Sequence, residues 1–424
     1  MKLVKTYGRT RDTAAALMAE LEQRGAVSTA SVEKVVRGIL ADVRKNGDKA
    51  VARYAQQFDN LAPKASLLVT EEEMQAAWEA TSPELREAMQ TAQDNIRAFA
   101  EAQKPREWTN TFTEGVKTGQ IVRPLGSVGC YVPGGRYPLP STLLMTTTPA
   151  RVAGVERIVV CSPKPAQETL AAAHLAGVTE FYRIGGAQAI AMMAYGTSTV
   201  ARVDKIVGPG NLFVTAAKSI VSTETGIDMP AGPTEIVVTS ETGDPAGIAA
   251  DLVAQAEHDP ETMAVLFTSN EALGRAVLAE VKLQSRSNKL AKQSLTARGA
   301  IFVTQSVTEA QELTNRLAPE HLSVDSARDL EWVENAGSVF VGPYAPQSMG
   351  DYISGPNHVL PTGRNGRVRG GLSVADFVKV ITVQEYTRKG LATLGPKAIL
   401  LAEAEGLKGH AESIRIKMKP IRRK

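Results

Sequence analysis

Cysteine, histidine and aromatic residues are scarce in this chain, and long apolar runs are absent. Its 424 residues include two cysteines and five histidines, and aromatic residues make up 5%. Cys130 and Cys161 alone make neither a disulfide framework nor a zinc–thiolate motif. The apolar runs fall well short of the roughly 20 residues of a membrane span, and residues 1–11 lack the apolar core of a secretory signal. We therefore expect a cytoplasmic protein without a membrane partner.

An excess of charge of one sign is also missing. The 48 Lys and Arg residues nearly balance the 45 Asp and Glu residues, which leaves a formal net charge of +3. The one basic run, within residues 415–424, contains no aromatic residue. Nucleic-acid binding is typically signalled by basic residues that are clustered on one face and interleaved with aromatics. No nucleic-acid partner is therefore expected.

Segments typical of strands and helices alternate through most of the chain. Residues 12–103 show a helical pattern, and one predicted helix buries a face made of Val35, Val36, Ile39, Leu40 and Val43. Residues 157–221 and 234–341 alternate between strand and helix with short connections, which predicts parallel, doubly wound sheets. After Leu372 the pattern is helical. The predicted fold class is α/β, with two doubly wound, incomplete Rossmann-like parallel-sheet domains, a helical N-terminal segment and a helical C-terminal tail.

Four of the five histidines stand near a possible metal ligand, acid or base. His174 lies in an alanine-rich segment and is expected to pack against a helix or face the surface. Gln255 and His258 lie three residues apart at the end of a predicted helix, so that both project from one face. They could ligate a metal together, or form a polar helix end in which the histidine interacts with the helix dipole.

The remaining three histidines each have an acidic neighbour along the chain. Glu320 and His321 are adjacent after a predicted helix, where one could move a proton and the other activate water. A loop rich in Gly and Pro carries Asp351 and His358, and such irregular segments often form sites. Glu405 and His410 lie in the tail. In each case solvated surface residues are the alternative interpretation.

Three glycine-bearing turns follow predicted strands. They are Tyr131 to Gly135, Gly185 to Gln188 and Gly208 to Asn211. Such turns allow a ligand to approach the backbone and direct helix N-termini at phosphates, as in dinucleotide-binding folds. The G-x-G-x-x-G fingerprint and the P-loop are both absent, and tight packing turns remain the alternative.

Taken in order, these motifs resemble those of histidinol dehydrogenases over nearly the whole chain. The segments that carry the resemblance are 129–135 (GCYVPGG), 185–189 (GGAQA), 203–211 (VDKIVGPGN), 228–235 (DMPAGPTE), 255–258 (QAEH), 318–322 (APEHL), 350–361 and the tail around His410. The resemblance implies a zinc-dependent enzyme that oxidises L-histidinol to L-histidine, the last step of histidine biosynthesis. It would do so in two NAD-linked steps through the aldehyde.

The resemblance also implies a role for each matching residue. The zinc ligands would be Gln255, His258, Asp351 and His410, and the acid–base pair would be Glu320 and His321. The residues lining the NAD site would be Tyr131, Gln188 and Asn211. The substrate contacts would be Thr234, Gln255, His258, Glu320, Asp351, His358, Glu405 and His410.

A homodimer with shared active sites and one Zn²⁺ per subunit is implied as well. We expect an N-terminal tail at residues 1–22 and a discontinuous first α/β domain at residues 23–126 plus 235–372. The NAD-binding domain would cover residues 127–234. The helical tail, residues 373–424, would bring His410 to the partner's zinc.

One departure from the family pattern bears on substrate choice. The segment Gly135-Arg136-Tyr137 resembles the matching segment of related zinc dehydrogenases that act on sulfonated diols. An arginine at this place could pair with an anionic substrate or with the cofactor pyrophosphate. Gly350-Asp351-Tyr352 and Pro140-Ser141 resemble the histidinol branch. Two other classes remain open, a zinc hydrolase in which a Glu beside a His activates water, and a non-catalytic nucleotide-binding module.

Overall fold

The computed structural model describes residues 1–23, 29–134, 137–230 and 232–419. By its internal contacts the chain divides into two units. The first unit comprises Met1–Ala102 and Gly126–Phe377, and the second comprises Gln103–Leu125 and Val378–Lys424. The four-segment division expected from the sequence stays a prediction.

The first hundred residues are mostly helical. Their elements are β1 (Lys2–Lys5), α1 (Arg11–Glu22), α2 (Ala30–Asn46), α3 (Asp48–Asp59), β2 (Leu68–Val69), α4 (Glu71–Glu79) and α5 (Pro83–Gln103), with a 3₁₀ turn at Gly8–Thr10. Helix α4 begins at a capping box in which Thr70 and Glu73 satisfy each other's backbone N–H groups. On α2 the predicted apolar residues are buried except Val35, which is 55% exposed and lines a cavity described below.

The next two strands form a β-hairpin of the second unit. The chain then returns to the first unit with a series of alternating strands and helices. These elements are β3 (Trp108–Thr113), β4 (Val116–Pro124), β5 (Ser127–Tyr131), α6 (Pro140–Ala153), β6 (Arg157–Cys161), α7 (Gln167–Leu175), β7 (Glu180–Tyr182), α8 (Gly186–Tyr195), β8 (Lys205–Val207), α9 (Leu212–Val221) and β9 (Gly226–Ile227).

Strands β5 to β9 form the Tyr131 sheet together with β2, in the order β2-β7-β6-β5-β8-β9. All neighbours are parallel except β2, which runs antiparallel to β7. Strand β5 is central, with β6 on one side and β8 on the other. A ligand crevice is expected where the strand order reverses, outside the carboxyl ends of such strands. Tyr131 is the last residue of β5 and therefore lies at this edge.

A second alternating series completes the first unit. Its elements are β10 (Glu235–Thr239), α10 (Pro245–Ala256), β11 (Met263–Thr268), α11 (Glu271–Gln284), α12 (Lys289–Arg298), β12 (Gly299–Val303), α13 (Val307–Leu317), β13 (His321–Val324), β14 (Ser338–Val341) and α14 (Ser348–Tyr352), with 3₁₀ turns at Ala327–Glu331, Asn365–Arg367 and Val374–Phe377.

The strands of this series and β1 form the His321 sheet, in the order β1-β12-β11-β10-β13-β14. Every neighbouring pair is parallel. Strands β10, β11 and β12 are buried along their whole length, as expected of a parallel sheet covered by helices on both faces. The predicted fold class, with two doubly wound parallel sheets, is confirmed.

The tail differs in part from the sequence expectation. After the 3₁₀ turn at Val374–Phe377 comes a nine-residue strand, β15 (Val378–Tyr386), and only then the helices α15 (Arg388–Ala404) and α16 (Lys408–Met418). The segment VKVITVQEY is rich in β-branched residues, which favour extended backbone. It pairs antiparallel with β4 along all nine residues, in the sheet β15-β4-β3 of the second unit. Among the described residues, no helix is long and apolar enough to cross a bilayer.

Candidate active site

Glu320 and His321 lie at the amino end of β13, beside the amino end of β10. Helix α13 ends at Ala318, whose left-handed backbone (φ 49°) turns the chain into the next strand. Both side chains are buried, with 7% and 3% exposure. The register places His321 beside Ile236, so Glu320 and His321 lie next to the first residues of β10. The two adjacent residues predicted as acid and base are therefore together in a buried position.

The Glu320 carboxylate is held by hydrogen bonds from β10. Its Oε2 atom accepts a bond of 2.8 Å from the Glu235 backbone N–H and one of 2.5 Å from the Thr234 hydroxyl. The Thr234 hydroxyl in turn accepts a bond from Nε2 of Gln255. Helix α10 follows β10 and runs back past it, so its last turn brings Gln255 to the amino edge of the sheet.

The main-chain contact of His321 indicates which ring nitrogen carries a proton. Its Nδ1 lies 3.0 Å from the Glu235 carbonyl oxygen, and a carbonyl can only accept, so Nδ1 is the protonated nitrogen. Nε2 is then directed at Oδ1 of Asp351, 3.7 Å away. Phe340 stacks on the ring at a centroid distance of 5.9 Å and fixes its plane.

The charge around His321 favours its protonated form. Burial lowers the pKa of the imidazole, but Glu320 and Asp351 outweigh that effect and raise the pKa to about 10. Burial correspondingly raises the pKa of Asp351, and His321, His358 and His258 together bring that pKa below its usual value. Asp351 is therefore a carboxylate surrounded by three imidazoles.

Gln255 and His258 present one oxygen and one nitrogen at the end of α10. Gln255 is 1% exposed, and within the described residues its buried Oε1 atom has no hydrogen-bond partner. Nδ1 of His258 lies 3.1 Å from the Gln255 carbonyl oxygen, and donation to that carbonyl leaves Nε2 as the unprotonated nitrogen. This is the usual arrangement of a histidine whose other nitrogen binds a metal.

His358 is fixed at both ring nitrogens. Nδ1 lies 2.7 Å from the Asp351 carbonyl oxygen, and Nε2 lies 3.2 Å from the Thr142 hydroxyl on α6. Burial lowers the pKa of His358, so the neutral ring is favoured. His321, Phe340, Asp351 and His358 line one cavity of about 270 Å³, so a small molecule in this cavity would lie against His321.

The described residues contain no group of three or more His, Cys, Asp or Glu side chains arranged to hold a metal ion. Of the predicted zinc ligands in the first unit, only His258 and Asp351 are of those types, and Gln255 contributes an amide. Glu405 and His410 belong to the second unit, at the end of α15 and on α16, and both are exposed. The structure thus gathers part of the predicted ligand set, and the full set stays a prediction.

Tyr131, Gln188 and Asn211 line a single cavity of about 530 Å³. Tyr131 ends β5, Gln188 lies in the first turn of α8, and Asn211 caps α9 by accepting from the N–H groups of Phe213 and Val214. The Tyr131 hydroxyl accepts a bond of 3.1 Å from Gly186 N–H. The family resemblance implied that these three residues, which come from separate glycine-bearing turns, line one site, and they do line one cavity.

Sequence reasoning missed two charged residues that line this cavity, Asp59 and Lys164. Asp59, at the end of α3, accepts a bond of 3.0 Å from Gly185 N–H and one of 3.4 Å from Nε2 of Gln188. Burial raises its pKa. No motif marks Asp59, because it comes from a helix more than a hundred residues earlier in the chain. Arg136, singled out for substrate choice, lies outside the described residues.

Comparisons with known proteins identify the family of this chain. The family model described as histidinol dehydrogenase matches residues 22–418. A histidinol dehydrogenase of Methanothermobacter thermautotrophicus is 45% identical over 416 residues, 95% of this chain and 97% of that protein. Another, from Photobacterium profundum, is 44% identical and covers 95% and 93% respectively. The crystal structure of histidinol dehydrogenase from Elizabethkingia anophelis superposes with a TM-score of 0.92 at 34% identity, over 99% of this chain and 98% of that one.

Proposed function

This chain belongs to the histidinol dehydrogenase family, and from that membership and the site geometry we propose that it oxidises L-histidinol to L-histidine with two NAD. The observation that carries the proposal is the buried His321. Its protonated Nδ1 is bound to a backbone carbonyl, and its Nε2 faces a cavity with Glu320 alongside. Such an imidazole can take a proton from an alcohol while the neighbouring carboxylate acts on water.

In the first step His321 Nε2 accepts the hydroxyl proton of the alcohol, and a hydride passes from its carbon to NAD. Aldehyde and NADH result. In the second step Glu320 accepts a proton from water as that water adds to the aldehyde carbon. The aldehyde oxygen takes back the proton that His321 accepted in the first step, which completes the gem-diol. The gem-diol gives a second hydride to a second NAD and a hydroxyl proton to His321, and the carboxylic acid so formed ionises to the carboxylate. The buried position of both residues limits escape of the reactive aldehyde.

The proton-accepting role requires a neutral His321, whereas Glu320 and Asp351 favour the protonated ring. A cation held by Asp351 would offset the negative charge that favours a proton on Nε2, and would thereby favour the neutral ring. The geometry of Asp351 is therefore consistent with a metal ligand.

We assign Zn²⁺ to Gln255, His258, Asp351 and the His410 of a second copy. The donor set fits that ion, because two imidazoles and two oxygens suit a borderline-soft divalent metal. The buried Gln255 Oε1, with no partner among the described residues, and the unprotonated Nε2 of His258 support the assignment. Zinc held there supplies a Lewis acid that stabilises negative charge on the substrate oxygen.

We assign NAD to the cavity of Tyr131, Gln188 and Asn211. This cavity lies at the carboxyl edge of the Tyr131 sheet, where doubly wound folds bind dinucleotides. Helix α6 follows β5 from the same edge, and its Thr142 contacts His358. The zinc hydrolase alternative leaves this cavity without a role.

The second unit supports a homodimer with shared sites. Its strand β15 and helices carry exposed large apolar side chains, which on a stable protein mark an interaction surface. They include Val380, Ile381, Val383, Leu400 and Leu401. We propose that a second copy covers these residues and that the tail delivers His410, and for substrate contact Glu405. As a biosynthetic enzyme, the chain is expected in the cytoplasm.

The function is tested by adding L-histidinol and NAD to the zinc-loaded protein and recording the near-ultraviolet absorbance of NADH. Two NADH per histidinol are expected, together with loss of activity on chelation and recovery on adding zinc. No NADH with zinc present would overturn the proposal. A parallel assay with sulfonated diols tests the alternative suggested by Arg136, which predicts faster NADH formation with the sulfonated substrate.

A further inference from the structure

The Thr234 hydroxyl stands between a proposed catalytic group and a proposed metal ligand. It donates to Oε2 of Glu320 and accepts from Nε2 of Gln255. A threonine hydroxyl has one proton to donate and two lone pairs that can accept. Its single proton is thus committed to Glu320.

Glu320 determines the direction of this hydrogen-bond chain. An ionised carboxylate only accepts, and its Oε2 atom already receives the Glu235 N–H at 2.8 Å. The hydroxyl proton must therefore point at Glu320, which leaves only a lone pair for Gln255. If the amide were turned over, its oxygen would face that lone pair, and two acceptors would meet without a proton between them. Nδ1 of His321 lies 3.3 Å from the same amide atom, but its proton is already donated to the Glu235 carbonyl at 3.0 Å, so the contact with the hydroxyl decides the orientation.

The same series of hydrogen bonds determines where the oxygen of the Gln255 amide, Oε1, points. With Nε2 bound to Thr234, Oε1 is the atom left buried without a partner among the described residues. Leaving a buried acceptor unsatisfied is unfavourable, so the orientation has to be imposed by a stronger requirement. A carbonyl oxygen held in this way can bind a cation, whereas an NH₂ group cannot.

We propose that Thr234 is a positioning residue, which orients the Gln255 amide so that its oxygen faces the metal. This inference rests on the zinc site of the proposed function. It gives Thr234 a role different from the substrate contact that the resemblance implies.

The test is the zinc affinity of metal-free protein, measured by competition with a chromophoric chelator, which does not depend on activity. Thr234→Val removes the hydroxyl at nearly constant volume, and Thr234→Ser, the matched control, keeps it. Removing an outer partner of a ligand typically weakens metal binding about 10–100-fold. We expect that loss for the valine variant and an affinity within about threefold of wild type for the serine variant.

Thermal melting of the two variants checks that both fold, and Thr234→Ala replaces the valine variant if that chain does not. Equal zinc affinity of the valine, serine and wild-type chains would overturn the positioning role while leaving the zinc site intact. Equal losses in the valine and serine variants would also overturn it, since the hydroxyl would not be the cause. If the wild-type chain bound no zinc, the zinc part of the proposed function would fail, and the positioning role with it.

Discussion

At the scale of single residues, the site gives different hydrogen-bond partners to two groups that are adjacent in the chain. Glu320 is held by hydrogen bonds from Thr234 and Glu235. His321 is held by a carbonyl on one side and faces Asp351 on the other. Because the partners of the two differ, they can perform different proton transfers, and replacing each one should affect a different step.

Glu320→Gln should allow the first oxidation and block the second, since the amide cannot accept a proton from water. His321→Gln should block both. General acid–base groups typically contribute about 10²–10⁴-fold in rate. With zinc saturating, we expect close to one NADH per histidinol on the fast timescale for the Glu320 variant and none for the His321 variant. Rapid-mixing absorbance measures both, and a fast yield of two NADH from the Glu320 variant would contradict the assignment.

Asp59 is expected to affect cofactor binding more than chemistry. Its carboxylate orders the Gly185 N–H and the Gln188 side chain through a single oxygen, Oδ2, in the proposed NAD cavity. An asparagine keeps only a neutral oxygen there, which is a weaker acceptor than the charged one. We expect Asp59→Asn to raise the KM for NAD roughly tenfold with little change in kcat, the pattern of lost uniform binding. Asp94→Asn, an exposed carboxylate on α5, is the control. A fall in kcat at unchanged KM would argue against this role.

At the scale of secondary-structure elements, the two parallel sheets use opposite edges. The proposed NAD cavity lies at the carboxyl ends of the Tyr131 sheet, as the doubly wound fold leads one to expect. The acid–base residues lie at the amino ends of β10 and β13 in the His321 sheet. Helix α10 runs back to that amino edge and carries Gln255 there. The position of each site therefore follows from strand direction together with the length of the returning helix.

A buried ion pair supports one of the turns of the cofactor cavity. Lys218 on α9 pairs with Asp228, and the two bond respectively to the carbonyl oxygen and the N–H of Gly208. Gly208 has φ 110°, and a Cβ there would lie 2.1 Å from the Tyr131 carbonyl oxygen. The turn thus requires glycine and is held at both of its backbone polar groups.

Lys218→Met should lower the free energy of unfolding by about 3–5 kcal/mol, because Asp228 would be left as a buried unpaired charge. The double variant Lys218→Met with Asp228→Asn should recover part of that loss. Urea unfolding of the three chains measures the difference. A double variant less stable than Lys218→Met alone would show that the aspartate, and not its missing partner, is the important group.

Asp251 on α10 should make stability depend on pH. Burial raises its pKa to about 6, although the N–H of Gln347 acts in the opposite direction. Because the folded pKa lies above the unfolded one, the stabilisation by the neutral acid is complete below about pH 4 and is lost as pH rises through 6. The free energy of unfolding of Asp251→Asn should therefore rise relative to that of wild type between pH 4 and 7, by on the order of 1–2 kcal/mol once solvent screening is allowed for. The prediction would be contradicted if the urea midpoints of the variant and wild type differed by the same amount at every pH between 4 and 7.

At the scale of the whole molecule, the proposed zinc site depends on residues from both units. Gln255, His258 and Asp351 belong to the first unit, whereas His410 lies exposed on α16 of the second. An interface between two copies would bury the apolar residues of the second unit and supply the missing imidazole at the same time.

Co-expression tests whether ligands cross between subunits. Gln255→Ala and His410→Ala chains should each be inactive alone, since each lacks one ligand. A mixed dimer contains one site with both defects and one site with neither, so mixed preparations should recover up to about half of the wild-type activity per mixed dimer. A mixed dimer without activity would show that His410 serves its own chain.

The sequence by itself determined the alternating strands and helices and the candidate residues, because periodicity and turn residues are local properties. It also placed Glu320 beside His321 and Gln255 one helical turn before His258. Three features needed the tertiary structure, namely the contact of Asp59 with Gln188, the strand at Val378–Tyr386 in place of the start of a helix, and the orientation of the Gln255 amide. Each depends on a partner distant in the chain. Which of these partners meet depends on how distant elements pack together and on the direction of each hydrogen bond. No local pattern in the sequence encodes either of them.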